Sequence, residues 1–106
     1  MSKKLSPIVR RVDLNQKQIV KELREYGATV AHTHIIGKGF PDIVVGYSGK
    51  NYFFEIKNPG KKLTEKESVW IDSWRGQVNV IETSQQAIQI IEKQWLHSEC
   101  GDFFYR

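Results

Sequence analysis

The 106-residue chain contains very little cysteine and no long apolar run, and both absences restrict what the protein can be. Cys100 is the only cysteine, so no disulfide can form within the chain, although one between two chains stays open. A reducing, cytoplasmic compartment is the simplest expectation. The basic residues within positions 1–11 are not followed by the apolar segment of a secretory signal, and no stretch approaches a membrane span in length. We therefore expect no membrane partner.

Charge is distributed unevenly along the chain. Residues 1–62 contain 12 basic and 5 acidic side chains, whereas residues 63–106 contain 4 and 7, so the two parts carry net charges of +7 and −3. A basic half of this kind favours a polyanionic partner such as nucleic acid, although a solvated basic surface would have the same composition.

Two motifs of other protein classes are missing. The phosphate-binding pattern G-x-x-x-x-G-K-[ST] is absent, so residues 37–39 (GKG) do not predict a nucleotide cofactor. His32 and His34 are two residues apart, but no cysteine or carboxylate completes a zinc-binding spacing around them. We interpret these histidines as structural or as facing nucleic acid.

Composition and pattern together predict one α/β domain. With 40% hydrophobic and 26% charged residues, the chain can form a single core without metal or disulfide support. Hydrophobic spacing, turn residues and capping signals predict the order αβββαβα. The expected elements are a helix from Asp13 to Gly27, a strand over 28–36, a hairpin of strands 43–47 and 51–57 around Ser48-Gly49, a helix capped by Thr64 and Glu67, a strand over 77–81, and a helix capped by Thr83 and Gln86.

We expect three segments: a basic N-terminal arm at 1–12, the domain at 13–96 and an aromatic C-terminal tail at 97–106. The tail either folds back on the core or contacts a second subunit. Trp70, Trp74 and Trp95 occur at helical spacing and are interpreted as core or dimer contacts.

The predicted hairpin brings acidic side chains together. If the turn is centred between Ser48 and Gly49, Asp42 lies directly opposite Glu55, and Lys57 shares their face of the sheet. Opposed carboxylates repel each other unless something compensates them, and Mg²⁺ prefers such oxygen ligands. A bound Mg²⁺ would polarise a phosphodiester and activate water, while Lys57 would orient that water or neutralise charge on phosphorus. The alternative is an exposed Glu55–Lys57 ion pair of little consequence.

Residues 37–42 (GKGFPD), 54–57 (FEIK) and 62–64 (KLT) resemble the PD-(D/E)XK nuclease superfamily. They are most similar to its small virus-type replication-repair nuclease (VRR-NUC) branch, which is found in phages and prophages. The resemblance covers about residues 10–92. It implies a restriction-endonuclease-like core with a mixed sheet flanked by helices. It also implies an endonuclease that depends on Mg²⁺ or Mn²⁺ and often acts on branched or flapped DNA. We expect a homodimer, because one such site cuts one strand and both strands of a junction or duplex need two sites.

The resemblance further implies roles for particular residues. Asp42, Glu55 and the main-chain carbonyl of Ile56 would hold the metal, and Lys57 would be the catalytic lysine. Members of the branch often have an acidic residue in the first helix and a glutamine in the helix after the motif, where this chain has Gln18 and Glu67. We expect Gln18 to orient a metal-bound water, and we interpret Glu67 as a helix cap.

Basic residues around these motifs are the expected nucleic-acid contacts. Lys38, Lys61 and Lys62 lie on predicted loops at strand ends, where phosphate contacts occur. Arg10, Arg11, Lys17 and Lys21 extend this set along the first helix.

Two alternatives to a nuclease remain open. One is a binding module that keeps the fold and the basic surface but has no turnover, since Gln18 contributes no charge to a metal site. The other is a small phage protein that acts on a host enzyme, in which Asp42, Glu55 and Lys57 are surface charges only.

Overall fold

The computed structural model describes the backbone of residues 6–93 and the side chains of residues 14–93. Within that part of the chain a four-stranded sheet lies between helices. The helices are α1 (Ser6–Tyr26), α2 (Glu65–Ser73) and α3 (84–93), and the strands are β1 (Thr29–His32), β2 (Ile43–Tyr47), β3 (Lys50–Ile56) and β4 (Asn79–Ile81). The order across the sheet is β1-β2-β3-β4, antiparallel except for the parallel β3–β4 pair. The predicted αβββαβα order and mixed sheet are therefore confirmed.

The two faces of the sheet are covered by different helices. Side chains alternate along the hairpin, and one face carries the buried residues Ile43, Val45, Tyr52, Phe54 and Ile56. This face packs in one core with α1, through Ile19, Val20 and Leu23, and with α3, through Ala87 and Ile91. No helix in the described part of the chain is both apolar enough and long enough to cross a membrane.

The opposite face of the hairpin is covered by α2 through aromatic side chains. Phe53 projects from β3 and stacks on Trp74, with ring centroids 5.5 Å apart, and Phe40 meets Trp70 edge-on at 5.1 Å. Trp70 and Trp74 stack on each other at 4.6 Å. Because α2 covers this face, Glu55, which shares it with Phe53, is removed from solvent. Trp95 and the predicted tail at 97–106 lie outside the described residues.

The first helix begins earlier than the sequence pattern predicts. It starts at Ser6, so residues 6–12 of the expected arm are helical and Asp13 lies inside the helix, where it cannot act as a cap. Pro7 does not prevent this start, because proline is tolerated in the first turn of a helix, where its missing N–H has no partner to lose. Gly27 ends the helix as predicted, with its N–H bonded to the Arg24 carbonyl.

The predicted strand over 28–36 is wrong at its end. The strand stops at His32, and His34–Ile36 form one turn of 3-10 helix. The reason is a main-chain clamp: the N–H groups of Thr33 and His34 both donate to the Asp42 carbonyl, at 2.8 and 3.1 Å, which turns the chain out of the sheet.

The fourth strand is shorter than the predicted range 77–81. It starts at Asn79 because the Gln77 side chain occupies the pairing position beside Phe53. Gln77 Oε1 accepts from the Phe53 N–H at 2.7 Å, and its Nε2 donates to the Phe53 carbonyl at 2.9 Å. The Gln77 side-chain amide thus satisfies the main-chain groups of Phe53, and main-chain pairing between β3 and β4 begins only at Asn79.

Gly39→Ala should destabilise the fold much more than Gly49→Ala. Both glycines have positive φ, +84° and +80°, but a Cβ on Gly39 would lie 2.3 Å from the Lys66 carbonyl oxygen of α2, whereas Gly49 has open space. We expect a loss of about 3 kcal/mol or more for Gly39→Ala and about 1 kcal/mol for Gly49→Ala, measured by urea unfolding. Equal losses would contradict this tight contact between the 37–39 turn and α2.

Candidate active site

The hairpin register places Asp42 at the position opposite Glu55. Ile43 pairs with Phe54 and Tyr47 with Lys50, as the two-residue turn predicts, and both turn residues have positive φ. Asp42 directly precedes β2, and its Oδ2 accepts a hydrogen bond of 2.8 Å from the Ile56 main-chain N–H. The predicted register is confirmed, and it aims the Asp42 carboxylate at the end of β3.

Glu55 is almost completely buried, with 2% of its surface exposed. Loss of solvation, the negative charge of Asp42, and a hydrogen bond and repulsion from Glu67 raise the pKa of Glu55 to about 9. Burial also raises the pKa of Asp42, although the Ile56 N–H works against the shift. The exposed ion pair considered as the alternative for Glu55 is therefore wrong, and without a cation Glu55 holds a proton at neutral pH.

The helix α2 contributes a third carboxyl group to this cluster. Glu67 completes the predicted capping box with Thr64: the Thr64 N–H donates to Glu67 Oε1 at 2.8 Å, and the Glu67 N–H donates to Thr64 Oγ1 at 3.2 Å. The same Oε1 accepts from Lys57 Nζ at 2.7 Å, while Lys57 Nζ lies 3.8 Å from Glu55 Oε2. Partial burial opposes ionisation of Glu67, but the hydrogen bonds from Lys57 and Thr64 keep its pKa below the usual value.

A cleft of about 230 Å³ opens beside this cluster. It is lined by Asn15, Gln16, Ile56, Lys57, Asn58, Lys61 and Lys62. Asn15 is a distinctive member, because its Nδ2 is buried and has no hydrogen-bond partner among the described residues. An unpartnered donor beside three lysines suits an anionic oxygen or a water molecule.

The donor set fits a hard divalent cation held by few protein ligands. Three carboxyl groups face a single ammonium group, so the cluster has an excess of negative charge that a cation would neutralise. Among residues 14–93, however, no three side chains of the His, Cys, Asp or Glu type are arranged to hold a metal ion together. An ion at this cluster would have only Asp42, Glu55 and the main-chain carbonyl of Ile56 as protein ligands and water for the rest, a coordination that Mg²⁺ tolerates.

Some of the expected nucleic-acid contacts lie at the cleft and others do not. Lys61 and Lys62 line it, whereas Lys38 lines a separate surface against α2 that includes Lys66 and Trp70. Lys17 is exposed on α1, and Lys21 is exposed but paired with Glu25 at 2.7 Å. The side chains of Arg10 and Arg11 lie outside the described residues.

The structure does not place Gln18 where it could orient a metal-bound water. Gln18 is exposed, and its Nε2 donates to Glu22, which itself accepts from Ser84. Successive helical residues are about 100° apart, so Gln18 points about 200° away from the buried Gln16. The residues of α1 that reach the cleft are Asn15 and Gln16, and Gln16 Nε2 donates to His32 Nδ1 at 2.9 Å.

Sequence reasoning thus underestimated Glu67 and missed Asn15. The Thr64-x-x-Glu67 spacing explained Glu67 completely as a cap, and nothing in that spacing showed that Lys57 would share the same oxygen. The family resemblance contained a useful signal. Members of the branch often have a glutamine where this chain has Glu67, which made Glu67 a candidate for the site. The buried residues 16, 19, 20 and 23 mark the side of α1 that faces the core. Asn15 lies at the edge of that side and Gln18 lies away from it, so helical spacing would have favoured Asn15.

Comparison with known proteins addresses the fold. A solved structure described as a VRR_NUC domain matches with a TM-score of 0.60 and 23% sequence identity, covering 76% of this chain and 92% of that one. The fold implied by the sequence resemblance is therefore confirmed. The sequence matches no protein-family model, and no curated protein shows significant similarity to it.

The stability of the metal-free protein should fall as pH rises from about 5 to 9. The folded state keeps a proton on Glu55 up to a pKa of about 9, whereas the unfolded chain releases it near the ordinary glutamate pKa of 4.5. Because the folded state binds more protons over this range, the free energy of unfolding decreases with pH. Urea unfolding in EDTA at a series of pH values measures this slope.

Glu55→Gln should flatten that slope and give a variant more stable than the wild type near pH 9. Glu65→Gln is the matched control, since Glu65 is an exposed carboxylate at the start of α2 and should leave the slope unchanged. A Glu55→Gln variant with the wild-type slope would show that Glu55 is ionised in the folded protein.

Proposed function

We propose that this protein is a metal-dependent DNA endonuclease that hydrolyses phosphodiester bonds in branched or structured DNA. The observation that carries the proposal is the cluster of Asp42, the buried Glu55 and Glu67 around Lys57, at the strand end where a cleft with further lysines opens. The VRR_NUC-like fold supports the same conclusion by analogy. We also propose that the protein acts as a homodimer, because one site cuts one strand and paired cuts in both strands of a duplex use two sites.

Asp42, Glu55 and the Ile56 carbonyl are proposed to hold Mg²⁺, or Mn²⁺ in its place. Such an ion, when bound, supplies Lewis-acid activation of the phosphodiester and a more acidic water. Glu55 would bind the ion in its ionised form, and would therefore release its proton to solvent when the ion binds. Asp42 is already oriented by the Ile56 N–H, which fixes one of its oxygens and leaves the other for the ligand role.

Lys57 is proposed to act on the scissile phosphate or on the attacking water. Its ammonium group lies between Glu67 and Glu55, at 2.7 and 3.8 Å, so its position is determined by two acidic partners on different elements. Glu67 is a positioning residue in this account, because it holds Lys57 and also fixes the start of α2 through Thr64. The charge of Lys57 would then stabilise the additional negative charge that develops on phosphorus.

One observation favours a second function, DNA binding without turnover. No carboxylate of α1 reaches the cleft in the described residues, since Asn15 and Gln16 occupy that position and Gln18 faces away. A site with two carboxylate ligands has less negative charge with which to bind Mg²⁺ than a three-carboxylate site. A wild-type protein that binds DNA and cuts none of the substrates below would support this second function.

The wild-type protein should cut supercoiled plasmid and a four-way junction with Mg²⁺ or Mn²⁺ and should not cut them in EDTA. Glu55→Gln should lower the cleavage rate by about 100-fold or more, because it removes a metal ligand while preserving side-chain volume. Gel assays of nicked and linear products measure the rates.

Glu65→Gln again serves as the matched control and should cut at the wild-type rate. Cleavage by the wild type that persists in EDTA would contradict metal dependence. Cleavage that survives unchanged in Glu55→Gln would point to a contaminating nuclease or to a different site.

Lys61→Ala/Lys62→Ala should weaken DNA binding and make it less sensitive to salt. Each phosphate contact releases counterions, so losing two should reduce the slope of log K against log salt by about 2. Lys21→Ala is the comparison, because Lys21 is already paired with Glu25 and lies away from the cleft. Fluorescence anisotropy between 50 and 200 mM salt, a range over which such slopes are measurable, provides the test. Equal slopes for wild type and double variant would remove these lysines from the interface.

A further inference from the structure

We propose that Ile35 and Ile36 form an apolar wedge that inserts between base pairs at the branch point of the DNA. The inference rests on the proposed function and names how the same site would select its substrate. Ile35 is 84% exposed and Ile36 is 57% exposed, which makes this 3-10 turn a projecting pair of large aliphatic side chains. Both side chains are directed into solvent and lie outside the hydrophobic core of the described residues.

The turn is attached directly to the candidate metal ligand. The N–H groups of Thr33 and His34 donate to the Asp42 carbonyl, and Thr33 Oγ1 donates to the Pro41 carbonyl at 2.8 Å. Since His34 N is 3.1 Å from that carbonyl oxygen and consecutive Cα atoms are about 3.8 Å apart, the Ile35 Cα lies within about 9 Å of Asp42. That distance is less than about three base steps of DNA, at about 3.4 Å per step.

The turn is also connected to α2 on its other side. Gly37, Lys38 and Gly39 all have positive φ, at +77°, +58° and +84°, and the Phe40 N–H closes the loop on the Gly37 carbonyl at 3.0 Å. Gly39 sits tightly against the Lys66 carbonyl of α2. A projecting apolar group on a fixed backbone can enter a base stack without first paying the entropy of ordering the loop.

The chemistry of the surroundings identifies DNA as the partner. Exposed isoleucines are among the side chains that proteins insert between base steps, where they partly unstack the bases and kink the duplex. The adjacent Lys38 is exposed, and a cation beside an apolar wedge suits the phosphates that flank an opened step. Unstacking costs least at a branch point, where base stacking is already interrupted, so a wedge favours branched over continuous duplex.

The test uses a four-way junction with 2-aminopurine at the branch point, whose fluorescence rises when the base loses its stacking partners. Binding is measured with the full-length chain in EDTA and in Ca²⁺, so that the readout does not depend on cleavage. Ile35→Ser/Ile36→Ser is compared with Val69→Ser, a control on α2 whose side chain is 60% exposed. Circular dichroism and sedimentation establish that all variants are folded and have the same oligomeric state.

The wild type and Val69→Ser should raise the fluorescence, whereas the double variant should not and should bind the junction about tenfold more weakly. Affinity for single-stranded DNA should be the same for all three. Equal fluorescence and affinity in the double variant would overturn the wedge, as would a change in oligomeric state, which would make the turn a subunit contact. If the wild type cuts DNA without unstacking the bases, the wedge proposal is overturned and the proposed nuclease activity is not. If it unstacks the bases without cutting DNA, the nuclease activity is overturned and the wedge proposal is not.

Discussion

The pairing of β2 with β3 is the constraint on which the candidate site depends. The two-residue turn at Ser48-Gly49 fixes the register, and the register places Asp42 opposite Glu55. Because side chains alternate along a strand, a slip by one residue would turn Glu55 into the core and Phe54 out of it. The apolar core therefore protects the arrangement of the acidic residues, since such a slip would expose Tyr52, Phe54 and Ile56.

The acidic cluster is unfavourable in itself and is held together by α2. The stack of Phe53, Trp70 and Trp74 keeps this helix on the sheet, and the cap formed by Thr64 and Glu67 positions its first turn. Glu67 and Lys57 then share an ion pair beside the buried, protonated Glu55. A protein that gathers three carboxyl groups around one lysine and fully buries one of them gives up stability at that point, which is typical of sites arranged for a ligand.

Apart from the start of α1 at Ser6 instead of Asp13, predictions that rested on local rules proved accurate, and those that depended on tertiary contacts did not. The hairpin, the Thr64 cap and the element order follow from turn residues, period-two alternation and capping signals. The 3-10 turn at His34–Ile36 depends on hydrogen bonds to the distant Asp42 carbonyl, so β-propensity alone predicted a strand there. Glu67 has two roles at once, and a sequence spacing reveals only the cap. Gln18 was assigned by family position, whereas the phase of α1 directs Asn15 to the cleft.

The central claim is that the hairpin register creates a divalent metal site, and direct metal binding tests it without reference to DNA. Electron paramagnetic resonance of Mn²⁺ titrated into the protein distinguishes bound from free ion. We expect bound Mn²⁺ in the wild type and its loss in Asp42→Asn, a variant whose amide oxygen still accepts the Ile56 N–H bond and so preserves the local structure. Absence of binding by the wild type up to millimolar Mn²⁺, or unchanged binding in Asp42→Asn, would contradict the account.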